Sequence, residues 1–247
     1  MYLYGYHACH AALLNPNRVI EKIYLTDKKT MERLPPLKMT NVEIVDRRRL
    51  DNMMPPGSVH QGMALKVQPL KTFDIDFLAA DTDPHQQVII LDQVSDPHNV
   101  GAVLRSAAVF GAKAVILTDR HAPKESGALA KAACGALEIV PLCLVKNLAQ
   151  GIEELKQMNY WCVGFSEKGQ QTLDKIDLKG KMALVLGSEG DGMRQRTESL
   201  CDFHVCLPSA GSFSTLNVSN AAAIALYETF KQQGPLPMAD DYNKKYY

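Results

Sequence analysis

Several common functional signatures are missing from this 247-residue sequence. Its six cysteines show no Cys-x-x-Cys pair and no disulfide spacing pattern, which argues against a structural zinc site and indicates reduced core residues. No apolar run approaches membrane-spanning length, and the N-terminus lacks the basic and apolar segments of a secretory signal. We therefore expect a compact cytoplasmic protein of one or two domains, with no metal and no membrane association.

Net positive charge and a dinucleotide-binding motif are also missing. The sequence has 27 basic and 27 acidic residues, a weaker positive balance than most RNA-binding proteins carry. Residues 1–70 nevertheless hold ten bases and six acids, and this local excess of +4 attracts phosphates. Within it, Arg47-Arg48-Arg49 fits a solvated helix face equally well. No early G-x-G-x-x-G precedes a downstream acid, which argues against a nucleotide-dependent oxidoreductase.

Hydrophobic runs and turn signals divide the chain into two α/β parts. Short strand-like and helical runs alternate over residues 1–70 and predict a small α/β domain. Residues 71–86 are acidic and poor in large apolar side chains, which predicts a linker with a short helical turn. Over residues 87–233, helical segments alternate with strands, the pattern of a parallel sheet covered on both faces. These strands are predicted near Val88, Ala114, Glu138, Trp161, Met182 and Phe203. The polar residues 234–247 predict a flexible tail.

The most informative segment covers residues 91–105. A buried strand ends in an Asp96-Pro97 turn, and Asn99 is predicted to cap the Ala-rich helix that follows. Arg105 is the only formal charge in residues 100–112. An amide and a guanidinium are thus held at the carboxyl end of a strand, where open α/β sheets build their sites. Taken alone, the two residues also fit a helix cap and a solvent-facing arginine.

Two later segments share this strand-then-loop organisation. Residues 182–192 form a buried strand that runs into a loop with three glycines and Glu189 at its tip. Glycine there lets the backbone approach a ligand closely. Residues 207–219 form a loop of small and hydroxyl-bearing side chains, which leads into a helix predicted from Asn220 to about Lys231.

In this order and spacing, the three segments resemble the signature motifs of the SpoU (TrmH-like) 2′-O-methyltransferases of the SPOUT superfamily. Residues 4–8, 57–62 and 131–136 resemble further parts of that family, so the resemblance covers nearly the whole chain. It implies an L30e-like RNA substrate-binding domain over residues 1–70. It also implies a parallel-sheet catalytic domain over residues 87–233 with a C-terminal trefoil knot, which periodicity does not reveal.

The resemblance further implies S-adenosylmethionine as the methyl donor, RNA as the partner and a homodimer as the working unit. Members most like this chain methylate a guanosine ribose of 23S rRNA. A tRNA ribose 2′-O-methyltransferase and a catalytically silent RNA-binding or ribosome-assembly protein are the alternatives.

Individual site residues follow from the same resemblance. The cofactor-binding candidates are Gly187, Leu207 and Leu216, and the catalytic candidates are Asn99, Arg105, Glu189, Thr215 and Asn217. A guanidinium is very hard to deprotonate, so we expect Arg105 to clamp a phosphate, with Asn99 and Glu189 holding it in place. Asn217 either donates to the ribose or caps the last helix. Thr215 stands where the family usually has serine, and it keeps the hydroxyl but adds bulk.

Overall fold

The computed structural model describes residues 1–32, 34, 41–211 and 215–234. In chain order the strands and helices are β1 Tyr2–Tyr4, α1 Tyr6–Leu14, β2 Ile20–Leu25, α2 Lys28–Glu32, β3 Val42–Ile44, α3 Arg47–Met53, β4 Met63–Val67, β5 Gln86–Leu91, α4 Pro97–Val109, β6 Ala114–Thr118, α5 Gly127–Ala133, β7 Leu142–Val145, α6 Leu148–Gln157, β8 Tyr160–Phe165, β9 Gln171–Thr172, β10 Lys181–Leu186, α7 Gln195–Ser199, β11 Phe203–Cys206 and α8 Val218–Gln233. The predicted α/β class is therefore confirmed. The predicted tail lies outside the described residues from position 235 onward.

Two sheets organise these elements. The N-terminal sheet has the order β1-β4-β2-β3, in which only β2 and β3 are parallel. The second sheet is entirely parallel, with the order β7-β6-β5-β10-β8-β11-β9. Its central strands are apolar except at their ends (Gln86, Gln87, Thr118 and Lys181), because both of their faces are covered, as the continuous hydrophobic runs predicted. Successive residues of β5 face opposite sides of the sheet, so Ile89 and Ile90 are buried in two different cores.

One predicted strand is wrong. Residues Ala136–Glu138 form a short 3-10 helix, and the strand lies slightly later in the chain, as β7. The 3-10 helix begins after Gly135 in a left-handed conformation (φ +96°), so the chain turns there instead of extending. Among the described residues, no helix is long and apolar enough to span a membrane.

The segment that joins the two sheets packs against the second one. It contains a 3-10 helix over Ile75–Ala80, and Ile75 and Leu78 are fully buried in the core that α6 covers. The Phe73 backbone N–H also donates to the carbonyl of Leu142, at 3.2 Å. The chain therefore joins the second packing unit well before β5 begins.

A buried ion-pair network connects the N-terminal sheet to the second unit. The Arg18 side chain is fully buried and donates to Glu125 Oε1 and Glu138 Oε1, each at 2.6 Å. It also donates to the backbone carbonyl of Gln68, at 2.9 Å. Burial opposes the charge on Arg18, but hydrogen bonds and charges from both glutamates outweigh it and raise the guanidinium pKa. Arg18 is thus a structural cation, not one of the bases available to phosphates.

Candidate active site

The site residues converge where the order of the parallel strands reverses. Strands β5 and β10 are neighbours, but the chain continues from β5 to β6 on one side, whereas β8 lies on the other side of β10. The loops that leave the carboxyl ends of β5 and β10 therefore flank one crevice, the usual ligand site of open α/β sheets. Residues 92–96 and 187–193 form these two loops.

Helix α4 begins three residues earlier than the sequence predicted. Asp96 is the N-cap residue, and its Oδ1 accepts a hydrogen bond from the His98 backbone N–H at 3.1 Å. The predicted cap, Asn99, is wrong because Pro97 occupies the first helical position, where proline needs no hydrogen-bond partner and its φ suits a helix. Asn99 consequently lies in the first turn, with its amide free to contact other loops.

The three signature segments meet in one hydrogen-bonded cluster of Asn99, Glu189 and Asn217. Glu189 Oε1 accepts from Asn217 Nδ2 at 2.6 Å and from Asn99 Nδ2 at 3.3 Å. Asn217 Nδ2 also donates to Asn99 Oδ1, at 3.0 Å. The cluster therefore holds the starts of α4 and α8 against the glycine loop.

Asn217 also caps α8, which starts two residues before the predicted Asn220. Its Oδ1 accepts from the backbone N–H of Ser219 at 2.9 Å. Of the two roles considered for Asn217, the helix cap is observed. Its amide protons are directed to Glu189 and Asn99 in this structure.

Arg105 does not join this cluster: within one chain Asn99 and Glu189 hold the loop, as expected, but they do not contact the arginine. Its Nη1 lies 3.7 Å from the sulfur of Cys134, the C-cap residue of α5, and the side chain is exposed. Arg105 lies six positions after Asn99, and at 3.6 residues per turn this places the two side chains about 120° apart around α4. The two side chains therefore face different neighbours, and no carboxylate among the described residues pairs with Arg105.

The glycine loop is a tight hairpin. Ser188 and Gly192 exchange backbone hydrogen bonds of 3.2 and 3.0 Å. A Cβ on Gly187 would lie 2.0 Å from the carbonyl carbon of Gly192, so only glycine allows this closure. The hairpin presents Glu189 at its exposed tip.

A buried carboxylate anchors the far end of the hairpin. Asp92 is fully buried at the end of β5, and its Oδ1 accepts from Arg194 Nε and Nη2, each at 2.8 Å. Asp92 Oδ2 accepts from the Arg194 backbone N–H at 2.9 Å. Such a bidentate pair fixes both distance and orientation. Sequence reasoning missed this pair, although an aspartate directly after an apolar strand is a signal for a buried, paired carboxylate.

Replacing Arg194 with alanine should weaken the hairpin. The variant removes both side-chain donors to the buried Asp92, and we expect a loss of about 2–3 kcal/mol in stability. We also expect a higher KM for S-adenosylmethionine, because the loop that carries Glu189 loses its anchor. Thermal unfolding and cofactor titration measure both effects. Arg196→Ala is the matched control, since Arg196 is exposed and has no ion pair among the described residues; equal behaviour of the two variants contradicts the anchor role.

The proposed cofactor residues border open space. Leu216 is 45% exposed despite its apolar side chain, and Leu207 is half-buried against the core. A Cβ built on Gly190, Gly192 or Gly211 meets no atom of the described residues within 4 Å. Apolar surface and bare backbone at the edge of a crevice fit an adenosine-containing ligand. Thr215 is exposed, and its hydroxyl has no hydrogen-bond partner among the described residues.

His60 and His98 lie in segments that resemble the family, and their surroundings differ. His60 is buried in the N-terminal unit, where its Nδ1 accepts from the Gly62 backbone N–H and its Nε2 lies 2.8 Å from Asp51 Oδ1. His98 is exposed in the first turn of α4. No group of His, Cys, Asp and Glu side chains in the described ranges is arranged to hold a metal ion.

All six cysteines are free thiols, but not all of them are core residues as predicted. Burial raises the pKa of Cys143, Cys162 and Cys201 to about 12, which keeps these thiols protonated and unreactive. Cys134 is exposed and lies beside Arg105.

Comparison with known proteins matches nearly the whole chain to RNA ribose methyltransferases. The sequence model of the SpoU rRNA Methylase family matches residues 86–227. A second model, described as RNA 2′-O ribose methyltransferase substrate binding, matches residues 2–73. The chain is 40% identical to the 23S rRNA (guanosine-2′-O-)-methyltransferase RlmB of Pasteurella multocida, over 94% of this chain and 98% of the relative. The protein of that name from Escherichia coli K12 is 37% identical, with the same two coverages.

Solved structures share the fold. The SpoU methyltransferase AviRb from Streptomyces viridochromogenes, in complex with AdoMet, superposes with a TM-score of 0.80 at 22% identity, covering 94% of this chain and 89% of that one. A structure described by 2-OH methylation of C/U34 on tRNA has a TM-score of 0.54 at 28% identity and covers 60% of this chain and 97% of that one. The predicted resemblance is therefore confirmed, and the chain belongs to the SpoU rRNA methylase family.

Proposed function

We propose that this protein transfers a methyl group from S-adenosylmethionine to the 2′-hydroxyl of a guanosine in 23S rRNA. The observation that carries the proposal is the Asn99–Glu189–Asn217 cluster, which joins three loops at the crevice between β5 and β10. The full-length match to relatives named as 23S rRNA guanosine methyltransferases supports this substrate. We infer a cytoplasmic location from the same substrate.

The residues present fit the proposed cofactor. Leu207 and Leu216 offer apolar surface, and the hairpin that begins at Gly187 offers backbone groups beside open space. S-adenosylmethionine, when bound, supplies an electrophilic methyl group on a sulfonium. The chain must then orient the ribose hydroxyl in line and stabilise the charge that develops as its proton leaves.

We assign the protein's own groups to these tasks. Arg105 is exposed and contacts a thiol but no carboxylate among the described residues, so its guanidinium is available to a phosphate beside the target ribose and to the developing alkoxide. Glu189, Asn99 and Asn217 hold the three loops in register. We assign contact with the ribose to the Thr215 hydroxyl, which is exposed and has no hydrogen-bond partner in the described part of the chain.

A methylation assay on defined RNAs tests this function. Purified protein is incubated with methyl-labelled S-adenosylmethionine and unmodified 23S rRNA or unmodified tRNA, and methylated riboses are mapped by mass spectrometry. We expect one methylated guanosine in 23S rRNA and none in tRNA. Modification of tRNA alone favours the tRNA enzyme, whose solved relative covers only 60% of this chain. If the protein binds RNA but neither methylates it nor binds the cofactor, it is a catalytically silent RNA-binding or ribosome-assembly protein.

We also propose that the working unit is a homodimer whose active site is shared between subunits. Helices α4 and α8 leave apolar side chains exposed: Val109, Ile224 and Tyr227 are 67%, 44% and 52% exposed. Phe110 packs against the Tyr227 and Phe230 rings at 5.8 and 6.0 Å, so the exposed patch is rigid. A second copy is the economical cover for such a face. The trefoil knot implied by the family stays a prediction.

Dilution tests the dimer. If Arg105 completes the site of the other subunit, methylation requires the dimer. Methylation activity should then fall on dilution over the same protein concentrations at which sedimentation shows the dimer dissociating. Tyr227→Glu should shift both curves to higher concentration, because it puts a charge into the apolar contact. A fully active monomer at assay concentration contradicts the shared site.

A further inference from the structure

The N-terminal unit contains a cavity that the catalytic assignment does not use. It has a volume of about 240 Å³ and is lined by Thr26, Arg47, His60, Gln61 and Gly62. The cavity lies between the end of β2, the start of α3 and the loop before β4.

The cavity wall is held rigidly by contacts outside the cavity. Both ring nitrogens of His60 are engaged, by Asp51 and by the Gly62 backbone N–H. Gln61 Oε1 accepts from the Tyr6 backbone N–H at 2.9 Å, which ties the loop to α1. Gly62 has φ +81°, and a Cβ there would lie 2.7 Å from Thr26 Oγ1. The close approach of loop and strand therefore requires glycine.

Two hydrogen-bond donors of the cavity have no acceptor within the described part of the chain. They are the guanidinium of Arg47, whose side chain is exposed, and the Nε2 of Gln61. The nearby carboxylates hold other hydrogen bonds: Asp27 accepts from the Thr26 hydroxyl, Asp51 lies 2.8 Å from His60, and Asp46 accepts from the backbone N–H of Arg49. None of them forms an ion pair with Arg47 in the described part of the chain, and a cavity with two donors left without acceptors suits a phosphodiester.

Arg47 also differs from four other basic residues of the N-terminal unit, whose charges are paired with carboxylates. Lys22 and Arg49 both pair with Glu43 at 2.7 Å, and Lys66 pairs with Glu21 at 3.0 Å. Arg18 is buried. Lys28, Lys29, Arg47 and Arg48 have no ion pair among the described residues, and of these four only Arg47 lines the cavity.

The cavity loop is directly connected to the surface that carries Arg105. Lys131 on α5 donates from its Nζ to the carbonyl of Val59, at 2.6 Å. One helical turn later, Cys134 contacts Arg105. An RNA strand that reaches Arg105 is thus close to the cavity loop.

We propose that the Arg47 cavity binds a backbone phosphate of the RNA substrate, away from the methylated nucleotide. The inference rests on the proposed function. It assigns a phosphate contact to one cavity, whereas the positive charge of residues 1–70 indicates only that the N-terminal unit attracts phosphates. Contacts to phosphates set the register of a protein on RNA and make binding depend on salt.

Arg47→Ala and Arg48→Ala form a matched pair for the test. Arg48 is the next residue, is also exposed and has no ion pair among the described residues, but it does not line the cavity. With a 23S rRNA fragment as the probe, we expect Arg47→Ala to raise the Kd and the KM for RNA about 10-fold or more. Arg48→Ala should change them about 3-fold or less, and neither variant should change kcat at saturating RNA. The salt slope of RNA binding should fall by about 0.7–1 for Arg47→Ala.

Gln61→Glu provides a second test that preserves the fold. A glutamate oxygen can still accept from the Tyr6 N–H, but it places a negative charge in the cavity, so RNA affinity should fall while the melting temperature stays unchanged. Equal Kd values for Arg47→Ala and Arg48→Ala, or unchanged binding by Gln61→Glu, overturn the proposal. Because Kd is measured without cofactor, this result is independent of whether the wild-type protein methylates 23S rRNA.

Discussion

Replacement of Arg105 with alanine is expected to lower turnover by about 100-fold or more, the usual effect of removing one positioned electrostatic stabiliser. The fold should persist, because alanine favours the helix and the Arg105 guanidinium approaches the Cys134 sulfur only loosely, at 3.7 Å. Binding of S-adenosylmethionine should also be unchanged, since Arg105 lies outside the Asn99–Glu189–Asn217 cluster. Single-turnover methylation, cofactor calorimetry and circular dichroism measure the three outcomes.

Arg105→Lys separates a guanidinium clamp from a simple positive charge. Lysine keeps the charge but cannot form the two parallel hydrogen bonds of an arginine fork, so we expect this variant to fail as well. Full activity of the lysine variant reduces the role of Arg105 to charge alone. Near-normal turnover by a folded alanine variant removes Arg105 from the chemistry altogether.

Replacement of Arg18 with alanine is expected to cause the largest loss of stability, about 3–5 kcal/mol. The variant leaves Glu125 and Glu138 close together and largely buried, with side-chain exposures of 13% and 3%, and without their shared cation. Leu70 and Asn15 still donate one hydrogen bond each to these carboxylates, at 2.7 and 2.8 Å, which does not neutralise their charge. Denaturant unfolding followed by circular dichroism measures the loss.

The pH dependence of that loss identifies its cause. Unpaired buried carboxyls have a pKa above the value in the unfolded chain, so their contribution to stability is retained at low pH and lost as the pH rises. The difference between Arg18→Ala and wild type should therefore shrink on acidification. Lys66→Ala, which breaks an exposed pair with Glu21, should change stability little. A pH-independent loss in Arg18→Ala points to a packing defect instead.

Local sequence signals predicted the elements well but placed some of their ends wrongly. The apolar runs at β5 and β10 predicted buried parallel strands because strands covered on both faces need apolar residues throughout. The start of α4 was misassigned because Asp96 and Asn99 are both good caps by residue type, and the position of Pro97 decides between them. The strand predicted near Glu138 failed because the chain turns at Gly135.

Candidate site residues were predictable individually, but their partners were not. The motif resemblance singled out Asn99, Glu189 and Asn217, and the charges of the side chains suggested that Glu189 would pair with Arg105. The structure pairs Glu189 with the two asparagines instead, because Arg105 lies on a different side of α4. Arg18 counted as a phosphate-binding base from its charge alone, and only its burial between two glutamates shows otherwise.

The sequence by itself determined the two α/β parts, the family and the residue types at the site, because these depend on patterns within a few neighbouring positions. The tertiary structure alone decided which distant residues meet. Asp92 contacts Arg194 across 102 positions, and Asn99 contacts Asn217 across 118. These contacts exist because β5 and β10 are adjacent and the chain returns over their ends into α8. Strand order is set by how the whole sheet and its covering helices bury apolar surface together, and no local segment encodes it.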